Sequence, residues 1–349
     1  MLIDLTCIEK KVTFKFGIMY LYRVYRRKKK YMDILMVLKN VAFIVAGFIL
    51  LIKGADFFVE GASSVAGKLG IPQIVIGLTI VAFGTSAPEA AISISSAAKG
   101  SSGISIGNVL GSNIMNILLI LGLTSVIRTL NIKKSTALID MPFMIVVSVF
   151  LVVWGAIFGN LDRIAGVIFW VLLIGFIVYL IVYSKKSNTE DAKVEIKDLK
   201  GWQILLFIIG GIAAIVFGSN LTVDGASYVA KNVFHVSDRI IGLTIVAFGT
   251  SLPELMTSVT AARKGKADIA VGNIVGSNIF NILFVLGTSC FIIKLPYEGF
   301  LVDSLVAIGA ALLLWLPALV KRKLGRGIGI IMLLAYSGYF VYLLFNAKA

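Results

Sequence analysis

Ten long apolar stretches alternate with short polar ones along this chain, at roughly 36–58, 72–98, 103–127, 138–158, 162–183, 202–229, 238–262, 268–293, 300–320 and 325–346. Each runs to about twenty residues or more, the length a helix needs to cross a bilayer. Barrel strands would instead show period-two alternation in segments of about ten residues. The pattern predicts an all-α integral membrane protein with ten transmembrane helices. Between the fifth and sixth stretches lies "SKKSNTEDAKVEIKDLK" (184–200), a polar linker of mixed charge. It divides the chain into a first half over 32–183 and a second over 201–349, five segments each.

The halves repeat each other. "GLTIVAFGTSAPE" (77–89) returns as "GLTIVAFGTSLPE" (242–254), and "GNVLGSNIMNILLILG" (107–122) returns as "GNIVGSNIFNILFVLG" (272–287). The repeats therefore occupy 72–127 and 238–293. A looser match relates "GADFFVEGASSVA" (54–66) to "GSNLTVDGASYVA" (218–230). Because five is odd, the second half should cross in the opposite direction. That gives two inverted five-helix repeats, an arrangement of secondary transporters whose sites lie near the midplane where broken core helices meet.

Composition agrees with a membrane protein. The chain is 58% hydrophobic and 15% charged, where soluble domains run about half apolar and about a quarter charged. Mean hydropathy is +0.97. The net charge of +15 would suggest nucleic acid in a soluble protein. Here the basic residues sit in short loops, as the positive-inside rule describes. Excluding residues 1–31, the side of the first segment's N-terminus holds six Lys and Arg, and the other side sixteen. The second side should be cytoplasmic, together with the 184–200 linker, leaving both termini extracellular. The basic tail over 1–31 disagrees, and its apolar piece "FGIMYLY" is too short to span. Either the functional chain starts at Met32, or the tail is cytoplasmic and the topology unusual. Cys7 and Cys290 are the only cysteines and His235 the only histidine. A disulfide framework, a Cys or His metal centre and a Ser-His nucleophile all lack their parts, so no enzyme and no cofactor is expected.

The candidate chemistry lies in the repeats. A carboxylate at the centre of a bilayer helix costs about 2.5–3.5 kcal/mol on insertion scales. Glu89 and Glu254 both lie mid-segment, each directly after a proline. Pro88 and Pro253 cannot donate to the carbonyls of Gly84 and Gly249, so the helix should kink or open within "FGTS". Carbonyls freed in a membrane must find a partner or line a wet cavity. Thr85 and Ser86 share the helix face of Glu89, as Thr250 and Ser251 share that of Glu254. In the next segment Ser112 and Asn116 are four apart, as are Ser277 and Asn281. The set is all oxygen, which hard cations such as Ca2+ and Na+ prefer.

Other repeated residues have blander readings. Gly107 and Gly111 form a GxxxG spacing suited to helix packing. Asn113 and Asn278 either tie helices together or orient the site. Asn108 and Asn273 read as helix-start residues. Glu60 and Asp224 read first as solvated helix ends, with gating contacts as the alternative.

The paired "GTSxPE … GNxxGSNxxN" segments resemble the α-repeats of the calcium/cation antiporter superfamily, specifically its sodium/calcium exchanger branch. The resemblance runs from about Met32 to the C-terminus. It implies ten helices, with segments 2, 3, 7 and 8 around the ions and segments 1 and 6 sliding across them. It also implies that Glu89 and Glu254 ligate both ions. Thr85, Ser86, Thr250 and Ser251 would supply hydroxyl or carbonyl oxygens, and the carbonyls of Ala82 and Ala247 with Ser112, Ser277, Asn116 and Asn281 would complete the sites. Some exchangers of this branch carry Asp where this chain has Asn281, which leaves stoichiometry and cation choice open. The expected activity is exchange of Na+ for Ca2+ at the cell membrane, with Ca2+ extruded. Protons would compete for the carboxylates, and the partners would be lipid and ions alone. The alternative is a proton/calcium or other cation exchanger on the same site. A channel would use the same oxygens without coupling.

Overall fold

The computed structural model describes residues 5–98, 100, 102–186, 199–232 and 247–346. Its helices are α1 (Leu5–Leu69), α2 (Gln73–Thr85), α3 (Ala87–Ala98), α4 (Ser102–Ile127), α5 (Thr136–Phe158), α6 (Arg163–Lys186), α7 (Gly201–Asn232), α8 (Ala247–Thr250), α9 (Leu252–Arg263), α10 (Ala267–Ile292), α11 (Leu301–Lys321) and α12 (Arg326–Asn346). Among the described residues eight helices are long and apolar enough to span a bilayer, and the bent pair α2–α3 makes a ninth. The seventh expected segment, 238–262, enters the description at Ala247, as α8 and α9. His235, Lys99, residues 238–246 and linker residues 187–198 lie outside the described residues. The helix α1 continues upstream of its apolar span, which begins at Ile34.

The centre is made by α4 and α10. Ile106, Val109, Ile114 and Leu121 on α4, and Ile274, Val275, Leu283 and Leu286 on α10, are fully buried. The outer helices turn Val146, Val153, Val171, Ile174, Leu205 and Leu316 outward. In water such a surface would aggregate; against lipid it is the matched solvent.

Glycines set how closely helices approach. On α1, Gly47, Gly54 and Gly61 recur every seventh residue, as do Gly211, Gly218 and Gly225 on α7. A methyl group at Gly54 would lie 2.9 Å from the Gly211 carbonyl, and one at Gly218 would lie 2.7 Å from the Gly47 carbonyl. Rising numbers on α1 meet falling numbers on α7, so the two helices run antiparallel. The last helix of each half packs on the core of the other. A methyl group at Gly166 of α6 would meet the Gly287 carbonyl of α10 at 2.9 Å, and one at Gly122 of α4 would meet the Gly329 carbonyl of α12 at 3.3 Å.

Four two-residue strands tie the loops together: β1 (Leu130–Asn131), β2 (Asn160–Leu161), β3 (Leu295–Pro296) and β4 (Lys323–Leu324). The pairs are antiparallel, β1 with β4 and β2 with β3, in the registers Leu130 to Leu324 and Asn160 to Pro296. Both α5, between β1 and β2, and α11, between β3 and β4, separate one strand pair from the other.

Candidate functional site

The proline rule locates the break but not its form. The helix α2 ends at Thr85, Ser86 leaves helical geometry at φ −83° and ψ 8°, and α3 restarts at Ala87 with a bend of 49°. Ser251 repeats this at φ −89° and ψ 2°, with Pro253 in the first turn of α9. A proline is tolerated there because a first-turn N–H has no intrahelical partner to lose. Each glutamate thus sits in the first turn of a helix, at the positive end of its dipole. Wide π-helical turns, which the sequence did not suggest, occur in α2 at Gly77–Val81 ahead of the break, in α4 at Asn116–Leu121, in α10 at Asn281–Leu286, and also in α5 at Thr136–Asp140. Such turns recur at functional sites.

Glu89 and Glu254 are wholly buried. Each takes a hydrogen bond from the opposite half: Ser86 Oγ donates to Glu254 Oε1 at 2.8 Å, and Ser251 Oγ to Glu89 Oε1 at 3.2 Å. Ser277 Oγ also donates to Glu254 Oε1, at 3.4 Å, and Thr250 to the Glu89 carboxylate. The Ala82 carbonyl accepts the Ser86 N–H at 3.0 Å. Ala247 opens α8. Thr85 Oγ1 lies 2.9 Å from Asn273 Oδ1. Five oxygens at the repeat motifs, Glu89 Oε2, Glu254 Oε2, Ser112 Oγ, Asn116 Oδ1 and Asn281 Oδ1, are among the buried side-chain oxygens that have no hydrogen-bond partner. All five belong to the set picked out by sequence; others, on Thr136, Asp140, Thr257, Thr288, Tyr297 and Ser304, lie outside it. Buried polar atoms without a partner are rare in folded proteins. Two carboxylate oxygens, two amide carbonyls and a hydroxyl are oxygen donors that suit Ca2+ and Na+. Among the described residues no three His, Cys, Asp or Glu side chains come together, so a site here depends on neutral oxygens to complete it.

Asn108 and Asn273 are not helix-start residues. They lie in the second turns of α4 and α10, and Asn273 is fully buried. Asn273 Nδ2 donates to Ser258 Oγ at 2.9 Å and to the Glu254 carbonyl at 3.4 Å. Asn108 does the same to Ser93 Oγ at 2.9 Å and the Glu89 carbonyl at 3.3 Å. Each clamps a glutamate-bearing helix to the helix that follows it. The Ser93 and Ser258 partners were missed, although both keep the repeat offset. Asn273→Ala removes the Thr85, Ser258 and Glu254 carbonyl contacts together. At about 1 kcal/mol per net hydrogen bond, a loss of about 2–3 kcal/mol is expected, read by thermal unfolding in detergent.

Glu60 proves to be more than a solvated end. Lys264 Nζ, in the turn after α9, lies 3.4 Å from Glu60 Oε2 and 3.1 Å from Asp56 Oδ1, and so joins α1 to the core. Asp224 is exposed, as expected.

A helical membrane protein that gathers two buried carboxylates and neutral oxygens from repeated halves is, by class, a cation transporter. The chain belongs to the sodium/calcium exchanger family: the family described as "Sodium/calcium exchanger protein" matches residues 39–182 and 203–345. Membership makes it a membrane antiporter and not an enzyme. It is 31% identical over 352 residues to the sodium/calcium exchanger MaX1 of Methanosarcina acetivorans, covering 89% of this chain and all of that one. It is 36% identical over 321 residues to the inner membrane protein YrbG of Escherichia coli, covering 86% and 95%. Among solved structures, the sodium-calcium exchanger NCX_Mj soaked with Na+ and Sr2+ superposes with a TM-score of 0.78 at 33% identity, covering 87% of this chain and 98% of that one.

Proposed function

We propose that this chain exchanges Na+ for Ca2+ across the cell membrane by alternating access, with Na+ influx driving Ca2+ out. One observation carries the reading. Ser86 serves Glu254 and Ser251 serves Glu89, so both halves build a single site that Ca2+ and Na+ cannot fill together. The proposed ligands are Glu89 and Glu254 with Thr85, Ser86, Thr250, Ser251, Ser112, Ser277, Asn116, Asn281 and the carbonyls of Ala82 and Ala247. With neutral Asn at 116 and 281, the two glutamates give the site a formal charge that one Ca2+ or two Na+ balances. Without ions that buried charge is uncompensated and resists movement across the barrier; loading relieves it. Protons compete for the same carboxylates.

The proposed fold is ten helices in two inverted five-helix repeats, over 32–183 and 201–349. The antiparallel packing of α1 on α7, equivalent helices of the two halves, supports inversion. So does the crosswise strand pairing. β1 and β3 are equivalent by the repeat offset, yet each pairs with the strand beyond the other's neighbouring helix. The proposed cytoplasmic end is the one with β1 and β4. Arg128, Lys133, Lys134, Lys321, Arg322, Lys323 and Arg326 flank that pair, against Arg163 and Lys294 at the other. Both termini are then extracellular and the 184–200 linker cytoplasmic.

The test is uptake of radiolabelled Ca2+ into proteoliposomes loaded with Na+, against K+-loaded and pH-gradient controls. Uptake that requires internal Na+ is expected. Uptake driven only by a pH gradient would move the chain to proton-coupled exchange, and uptake indifferent to both would make it a conductance.

A further inference from the structure

Four buried asparagines meet where α4 and α10 cross, and their bonds are reciprocal. Asn113 Nδ2 donates to the Asn278 carbonyl at 3.2 Å, and Asn278 Nδ2 to the Asn113 carbonyl at 3.1 Å. Asn116 Nδ2 donates to Asn278 Oδ1 at 3.0 Å, and Asn281 Nδ2 to Asn113 Oδ1 at 3.1 Å. The direction of every bond follows from the first two. A backbone carbonyl only accepts, so Asn278 must turn its amino group toward Asn113 and its Oδ1 away. That Oδ1 is then the only atom offered to Asn116, which must answer with its own amino group. The remaining atom of Asn116, Oδ1, is left buried without a partner, and the twin chain leaves Asn281 Oδ1 in the same condition. Reversing either amide would set oxygen against oxygen at about 3 Å, losing a bond and burying two unpaired acceptors.

We infer that Asn113 and Asn278 are positioning residues that lock Asn281 and Asn116 with their carbonyl oxygens toward the transported cation. The inference rests on the exchanger reading for the identity of that cation. It also gives a physical reason for Asn at 281. The atom facing Asn113 Oδ1 must be a donor, and an ionised carboxylate has none. The lock acts through two neutral ligands, touches neither glutamate, and holds one oxygen from each half in a fixed direction without adding charge. A preset ligand direction removes the cost of turning an amide when the ion arrives, as outer partners do for metal ligands in general.

The experiment is a double-mutant cycle on the intact chain in detergent, with Ca2+ affinity read by calorimetric titration. Asn278→Ala is expected to weaken Ca2+ about tenfold, and Asn116→Ala comparably. The double variant should be no weaker than Asn116→Ala alone, because Asn278 then has nothing to orient. A merely structural role for Asn278 would give effects that multiply, and that result, or an unchanged affinity in Asn278→Ala, overturns the lock. The mirror cycle of Asn113→Ala with Asn281→Ala asks the same question on the other half and replaces the first where Asn278→Ala does not fold. Failure of the exchanger reading is separable: wild-type Ca2+ binding unaffected by Na+ would refute it whatever the cycle shows.

Discussion

Glu254→Gln is expected to abolish Na+-driven Ca2+ flux and weaken Ca2+ binding by at least about 100-fold, or about 2.8 kcal/mol, and Glu89→Gln to do the same. The substitution keeps shape and lets Ser86 remain a hydrogen-bond partner, since a hydroxyl accepts as well as it donates. What disappears is one of the two glutamate charges and one of the five unpartnered oxygens at the site. Without ions the variant should unfold at the same temperature as wild type or higher, because an uncompensated charge has left the membrane interior. The pairing of lost binding with retained stability separates a ligand from a structural residue. Calorimetric Ca2+ titration beside thermal unfolding in chelator measures both. A variant that binds Ca2+ normally, or one that simply unfolds, would count against the assignment.

Gly276→Val should be comparably severe, for a reason of space. A methyl group at Gly276 would lie 2.8 Å from Leu78 Cα, from the Leu78 carbonyl and from Ala82 Cβ. A methyl group at Gly272, one turn earlier, would lie 3.0 Å from Gly77 Cα. The Leu78 and Gly77 atoms are backbone and Ala82 Cβ has no torsion to turn away, so α2 itself must move. Its displacement would pull Thr85 from Asn273 and Ser86 from Glu254. Overpacking in a tight core costs about 1–3 kcal/mol and occasionally more; a loss at the upper end, with flux gone, is expected. Gly276→Ala should be intermediate. Gly309→Ala, where nothing among the described residues lies within 4 Å, should leave unfolding temperature and flux unchanged. Flux assays with unfolding curves on the three variants grade the seam.

Much of this was legible beforehand because the chain states its motifs twice. An offset of 165 residues identifies corresponding residues without any structure, so Glu89 with Glu254 and Asn116 with Asn281 could be paired on sight. The helix breaks were legible because proline chemistry is local. What could not be read depends on how the two copies meet. Ser86 serves the glutamate of the other half, and Asn113 orients Asn281, only because α4 crosses α10 in one particular register. Asn108 and Asn273 looked like helix starts because Ser, Thr, Asn and Asp favour caps. In the structure each is a clamp, since its helix begins nearly two turns earlier than its polarity suggests. The heptad glycines of α1 and α7 were a signal in plain view. Their meaning needed the antiparallel partner.

A single shared site makes one demand that no arrangement of separate sites can meet. The most direct measurement is Ca2+ titration of the purified protein at a rising series of Na+ concentrations. With Glu89 and Glu254 serving both ions, the half-saturating Ca2+ concentration should climb without a ceiling, at high Na+ as roughly the square of the Na+ concentration when two Na+ replace one Ca2+. A half-saturating Ca2+ that levels off as Na+ rises would mean both ions are held at once, and would contradict the shared site.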